Sequence, residues 1–244
     1  MNVHTNMVLK LTELQKSKLK TSLNLDMIGA KVYDEVEVDN VLVLSPHPDD
    51  DVFACGGLIK HMSKNGAHVK VVYITDGVYG NVKDKIDYDL VAKREQEAMV
   101  ATKVLGVSEV NFLRVRDKGV QKNKKLWERI FEELKIRNLD LVLTPSGQDW
   151  HPDHAGTYEA FSTAYKKLRG KKPRVWQYQV WGADKVNIFF PIDKYLRYKR
   201  EASAAHKSQN KVVDYVDAVI DSDSFWGKIF GTSNYAEVFW EDIN

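Results

Sequence analysis

The sequence lacks most of the features that would take it out of the ordinary globular class. It has one cysteine, Cys55, in 244 residues, so no intrachain disulfide can form, which suits a reducing compartment and makes the cytoplasm the expected location. It lacks an excess of either charge. Thirty-six Lys and Arg against 34 Asp and Glu leave a formal net charge of +2, without the domain-wide basic surplus of a nucleic-acid binder. Long apolar runs are also missing. Stretches such as Val41-Leu42-Val43-Leu44 fall far short of the roughly 20 residues that span a bilayer, so no membrane span is expected. Lys10, Glu13, Lys16 and Lys18 break up the region where a signal peptide needs an apolar core. No Pro, Gly or Ser-rich linker, internal repeat or low-complexity tract divides the chain.

A hydrophobic content of 43% is enough for a sizeable core, and from residue 41 its pattern is regular. Residues 41–44 form a short apolar run closed by Ser45-Pro46, as in a buried parallel strand. A helix over 56–64 follows, closed by Asn65-Gly66, then a strand over 69–75. The alternation continues with helices over 88–105, 124–136 and 155–168, and strands over 110–113, 139–143 and 174–180. The spacing predicts a single α/β domain, Rossmann-like and doubly wound, with a mostly parallel sheet and helices on both faces. Residues 1–39 read as an N-terminal extension, with a short amphipathic element carrying Leu11, Leu14, Leu19, Leu23 and Leu25, and 40–244 as the domain proper. Its last third is aromatic-rich, with one helix expected over 193–208.

The chemistry concentrates at two strand ends. Ser45-Pro46-His47-Pro48-Asp49-Asp50-Asp51 follows the first strand, and Asp149-Trp150-His151-Pro152-Asp153-His154 follows the fourth. In a parallel sheet both loops open on the same edge and can converge. Two imidazoles and a carboxylate make a common catalytic zinc set with a position left for water, and the remaining carboxylates could act as base or hold ligands in place. Taken singly, the same residues are ordinary turn residues. The first βα turn has no G-x-G-x-x-G, and its acids would repel a pyrophosphate, which excludes a nucleotide-dependent enzyme.

Pro46-His47-Pro48-Asp49-Asp50 with Gly56-Gly57, together with His151-Pro152-Asp153-His154, resembles the PIG-L/LmbE-like zinc-dependent de-N-acetylases. Thr75-Asp76-Gly77, Arg94-Glu95-Gln96-Glu97, Asp117, His206-Lys207-Ser208-Gln209 and Glu237-Val238-Phe239 agree with it, over about residues 40 to 240. The resemblance implies His47, Asp50 and His154 as ligands of Zn²⁺, with Fe²⁺ or Co²⁺ also suited to such a set. It implies Asp49 as general base, and His151 as the positive partner of the oxyanion with Asp153 holding its ring; Asp49 or His151 protonates the leaving amine. Arg94, Asp117 and His206 match positions that would bind substrate or close the pocket, the alternatives being a helix-surface Arg, a turn Asp and a His206 that only caps a helix. The implied substrate is an N-acetylglucosamine-type conjugate, hydrolysed to acetate and free amine, and homo-oligomers are allowed. A metal- and sugar-binding protein without turnover is the alternative, against which the intact Asp49, His151 and Asp153 count. Asp51 stands where the family usually has Glu. The loops over 79–88 and 181–191 are expected to set selectivity. Among the aromatics Trp176, Tyr178, Trp181, Phe189, Phe190, Tyr195 and Tyr198, any could stack on a sugar, and Trp150 beside His151 is the best placed.

Overall fold

Four short runs carrying Val, Leu and Ile, and a fifth carrying Val175, Trp176 and Tyr178, build the centre of the molecule. The computed structural model describes residues 30–80, 85–181, 185–231 and 233–242; the leucine-bearing element expected near the N-terminus lies outside them. The strands are β1 (Lys31–Val32), β2 (Asn40–Ser45), β3 (His68–Thr75), β4 (Glu109–Val115), β5 (Leu141–Pro145), β6 (Arg174–Tyr178), β7 (Ile188–Pro191) and β8 (Ala236–Phe239). The helices are α1 (Asp50–Lys64), α2 (Tyr88–Leu105), α3 (Leu126–Glu133), α4 (Pro152–Lys166), α5 (Leu196–Ala205), α6 (Lys207–Asn210) and α7 (Tyr215–Phe230).

The main sheet has the order β4-β3-β2-β5-β6 and is parallel throughout. Alternate side chains feed two cores. Val41, Val43, Val71 and Leu143 pack with α1, α2, α5 and α7 on one face, and Leu42, Leu44, Val72 and Val142 pack with α3 and α4 on the other. The fold is therefore doubly wound, as the alternation of elements implied. From β2 the chain moves to β3 on one side, and it later returns to β5 on the other. The carboxyl ends of β2 and β5 thus flank the switch point, where such sheets open a crevice. Among the described residues no helix is long and apolar enough to cross a membrane.

Two local expectations need correction. Helix α1 begins at Asp50, not at residue 56, because Asp50 and Asp51 suit the positive end of a helix and Gly56-Gly57 lie inside it. A Cβ on Gly57 would overlap the Ile192 side chain, and one on Gly56 would stand 3.1 Å from Lys199 Cγ. Both glycines let β8 and α5 approach the helix closely. Glu237 of β8 uses that approach to accept hydrogen bonds from the backbone N–H of Gly57 (2.7 Å) and of Leu58 (2.8 Å). Lys199, fully buried, lies 2.9 Å from Glu237 and 2.8 Å from Asp223, so one ammonium sits between two buried carboxyl groups.

The last third holds more than the single helix expected there. The 193–208 stretch breaks at His206 into α5 and α6; α7 follows, capped by Asp214 and by Gly231 in the left-handed region. Strands β1, β7 and β8 make a second sheet, parallel between β1 and β7 and antiparallel between β7 and β8. Two- and four-residue strands are too short to show an alternating pattern.

Candidate active site

The loop after β2 is held tightly. The N–H of Thr75 donates to the Pro46 carbonyl, and the Ser45 hydroxyl to the His47 carbonyl. Asp50 starts α1 and turns its carboxylate back, so that Oδ2 accepts from the His47 N–H at 2.9 Å and lies 3.0 Å from His47 Nδ1. The loop after β5 brings in His154 from the first turn of α4. Its Nε2 is 3.1 Å from Asp50 Oδ2 and 3.3 Å from His47 Nδ1. Three possible ligand atoms therefore form one small triangle, made by residues 107 positions apart.

Each imidazole is fixed from behind. His154 Nδ1 is 2.9 Å from Asp149 Oδ2, which leaves Nε2 to face the triangle, and Asp149 Oδ1 accepts from the His151 N–H. His47 Nε2 faces Asp117 at 3.4 Å and Asp153 at 3.5 Å. These carboxylates favour positive charge. Burial opposes protonation of His154, yet Asp50 and Asp149 outweigh it and set its pKa at about 9. The groups His47, His151, His154 and His47, Asp117, Asp153 also lie close enough to hold a cation.

Asp49 precedes α1 but does not cap it. Its Oδ2 instead accepts from Arg94 Nη2 at 3.0 Å, and Arg94 Nη1 donates to the Gly77 carbonyl at 3.1 Å. A Cβ on Gly77 or Gly80 would overlap the Arg94 guanidinium, so both positions need glycine for that contact. Asp117 N–H donates to Asp76, and Asp117 Oδ2 accepts from the Tyr79 N–H, joining two further loops. The result is a cavity of about 530 Å³ lined by His47, Asp49, Asp50, Arg94, Asp117, His151 and His154. Phe53, Trp181 and Tyr215 form an aromatic wall with ring centroids 5.2–6.3 Å apart.

Comparison with known proteins turns on the same two loops. Residues 42–165 match the PIG-L family, described as GlcNAc-PI de-N-acetylase, a span from β2 through α4 that contains both. The chain belongs to the PIG-L family. It is 27% identical over 215 residues to a probable N-acetyl-alpha-D-glucosaminyl L-malate deacetylase 2 of Bacillus anthracis, covering 77% of this chain and 94% of that one. It is 26% identical over 189 residues to the diacetylchitobiose deacetylase of Thermococcus kodakarensis, covering 71% of each. In structure it resembles the N,N'-diacetylchitobiose deacetylase of Pyrococcus horikoshii, with a TM-score of 0.77 and 22% identity over 93% of this chain and 92% of that one; this likeness concerns the fold.

Within this PIG-L site three expectations change. Asp153 does not hold the His151 ring through its carboxylate, which accepts from the N–H groups of Lys118 (2.6 Å) and Val120 (3.1 Å). Only its backbone meets the ring, the Asp153 N–H donating to His151 Nδ1 at 3.2 Å, because His151 is the N-cap of α4. Burial, helped by the His47 and His154 rings, lowers the His151 pKa. His206 does not line the cavity but joins α5 to α6 as a cap, the alternative that the sequence left open. It is buried behind Phe53, 5.8 Å between ring centroids, and burial, then Arg94, push its pKa down to about 3. Gln209 lines the cavity instead, donating to the Gly80 carbonyl, while Glu97 accepts from the N–H and the hydroxyl of Ser208. Asp51, shorter than the family's usual Glu, still accepts from the Tyr73 hydroxyl at 3.0 Å.

Sequence reasoning counted Asp149 only among the carboxylates that could hold ligands in place, without singling it out, and assigned no role to Phe53, Lys118 or Tyr215. Asp149 stood within the quoted motif, and its spacing to His154 was its signal. Trp176, Tyr178, Phe189, Phe190 and Tyr195 are core residues; Trp181 and Trp150 do line the cavity. Of the two loops expected to set selectivity, residues 81–84 and 182–184 lie outside the described residues.

Proposed function

We propose that this protein is a metal-dependent N-deacetylase that hydrolyses the N-acetyl group of an N-acetylglucosamine-type amino sugar conjugate, giving acetate and a free amine. The observation that carries this reading is the triangle of His47 Nδ1, Asp50 Oδ2 and His154 Nε2, with sides of 3.0, 3.1 and 3.3 Å, beside Asp49 in one cavity. Tetrahedral nitrogen and oxygen ligands at roughly 2.0–2.1 Å from an ion stand about 3.3 Å apart, so the donor set fits. His47, Asp50 and His154 would hold zinc, and Fe²⁺ or Co²⁺ suits the same two-histidine, one-carboxylate set. A bound metal of this kind polarises the amide carbonyl and acidifies water. The relatives named as deacetylases of a glucosaminyl malate and of diacetylchitobiose support the substrate class.

Asp49 is the base. Burial raises its pKa against the pull of Arg94, which favours taking the proton of the attacking water. His151 serves as a neutral donor. Its Nδ1 accepts from the Asp153 N–H, so the proton of the neutral ring resides on Nε2, and that N–H can bond the oxygen that gains charge as the amide becomes tetrahedral. The proton delivered to the departing amine then comes from Asp49. Arg94 and Asp117, both on the cavity wall, are placed to bind sugar hydroxyls or the amide region once substrate enters.

Elemental analysis is expected to find about one metal per chain, and a chelator to abolish primary-amine release from N-acetylglucosamine conjugates until zinc is restored. Release indifferent to the chelator would overturn the reading. Asp149→Asn, which removes the carboxylate behind His154, is expected to weaken metal binding by about 10–100-fold, read by competition with a chromophoric chelator. Unchanged affinity would show that Asp149 does not position the ring.

A further inference from the structure

Asp153 has no part in the proposed chemistry, yet its carboxylate meets three nitrogens from two different loops. It stands in the first turn of α4, 1% exposed. Its Oδ1 accepts from the Val120 N–H at 3.1 Å, and its Oδ2 accepts from the Lys118 N–H at 2.6 Å and faces His47 Nε2 at 3.5 Å. The loop after β4 needs such a brace. The Gly119 N–H donates to the Arg116 carbonyl, closing a turn with Asp117 and Lys118 at its corners. Lys118 has φ 60° there, a left-handed conformation that suits glycine and strains a residue with a Cβ. The same turn faces substrate, since Asp117 and Lys118 both line the catalytic cavity. A Cβ on Gly156 of α4 would stand 2.9 Å from the Val120 side chain and 3.0 Å from that of Gln121, so the helix lies directly against the loop it braces.

His47, Asp117 and Asp153 are close enough to hold a cation of their own, but their bonding speaks against it. Both Asp153 oxygens and Asp117 Oδ2 already accept from backbone N–H groups, those of Val120, Lys118 and Tyr79. Carboxylates so occupied suit a proton on His47 Nε2, which leaves Nδ1 unprotonated toward Asp50 and His154. We propose that Asp153 is a positioning residue that ties the metal seat to the substrate-facing turn. It holds the His47 proton on Nε2, so that Nδ1 is free for the metal, and it holds Lys118 in the strained turn that carries Asp117 to the cavity. The proposal rests on the reading of His47, Asp50 and His154 as metal ligands. One carboxylate serves both sides, so the coupling is reciprocal: bound metal braces the turn, and a braced turn tightens the metal.

Amide hydrogen exchange on the native protein tests the coupling without a variant: zinc is expected to slow exchange at Lys118 and Val120 by at least fivefold. Asp153→Asn tests the residue itself. An amide has one oxygen, so it cannot accept at both ends and must turn an NH₂ toward at least one of the three nitrogens. Zinc affinity, read by competition with a chromophoric chelator, is expected to fall about 10–100-fold, the ring-nitrogen resonances of His47 to lose their single tautomer, and KM for amine release to rise. Lys118→Gly added to Asp153→Asn removes the strain of the turn and is expected to return KM to that of Lys118→Gly alone, while zinc affinity stays low. A residue that merely braced the loop would change KM and leave zinc affinity and the His47 resonances as they were; that result, or exchange at Lys118 and Val120 indifferent to zinc, would overturn the proposal. Zinc binding by the native protein that Asp153→Asn keeps in full would remove the coupling and leave the metal site standing, whereas a native protein that binds no zinc would remove both.

Discussion

Asp49→Asn is expected to reduce the rate of amine release by about 10²–10⁴-fold, the range for removing a positioned base, with the fold and the metal content unchanged. The side chain is nearly isosteric, and Asp49 makes no capping bond to α1, so the helix loses no anchor. Arg94 Nη2 keeps an oxygen to donate to if the amide turns its carbonyl that way. What disappears is the ability to accept a proton from water and return it to the amine. Because His151 is assigned a hydrogen-bonding role only, His151→Ala should retain more activity than Asp49→Asn. Single-turnover measurement of amine release separates the two. Asp49→Asn with near-native rates would remove Asp49 from the chemistry and, with it, the proposed mechanism.

Lys199→Met is expected to cost about 3–5 kcal/mol of stability, the penalty for leaving buried charges without their partner. In a domain of this size that lowers the melting temperature by on the order of 10 °C. Asp223 and Glu237 would then face each other in the core with no cation between them. Asp223→Asn should behave differently, because Lys199 retains Glu237 at 2.9 Å. Burial pushes the Asp223 carboxyl up to about 7, against the pull of Lys199. The folded protein thus keeps a proton that the unfolded chain releases above pH 3.8. Fewer protons bound in the unfolded state mean that this group's contribution to stability falls as pH rises from about 4 to 7 and levels off above. Asp223→Asn should remove that slope, and denaturant titrations at pH 5 and pH 8 read it directly. An unchanged slope would place the pH dependence elsewhere.

How much of this could be read from the sequence depended on the range of each signal. The apolar run at 41–44, β-branched at Val41 and Val43, and its Ser-Pro stop are local, and so are the caps of α2, whose bounds of 88–105 the structure reproduces. The convergence of the His47 and His154 loops was legible because a parallel sheet puts both strand ends on one edge, whatever the intervening sequence. Side-chain direction was not legible. Asp153 directly precedes His154 and Asp149 stands five residues before it, yet it is Asp149 that faces His154, while Asp153 turns to His47 and two backbone N–H groups. Gly56-Gly57 looked like a helix boundary because the side chains that need the space, Lys199 and Ile192, come about 140 residues later, as their numbers show. His206 kept its motif but lost its expected place, since a histidine that ends a helix and one that touches a ligand carry the same letter. Helix α7, which the sequence reading did not expect, is capped by Asp214 and by Gly231.

The bond from Glu237 to α1 also bears on how the protein is made. The N–H groups of Gly57 and Leu58 wait for an acceptor 180 and 179 residues further along the chain. At ribosomal speeds of about 5–20 residues per second, that is a delay on the order of ten to forty seconds. During this interval the helix that carries Asp50 has its glycine pair unsupported, while β2, β3, β4 and β5 can already assemble beneath it. The nascent chain therefore acquires its sheet early and its finished catalytic helix late.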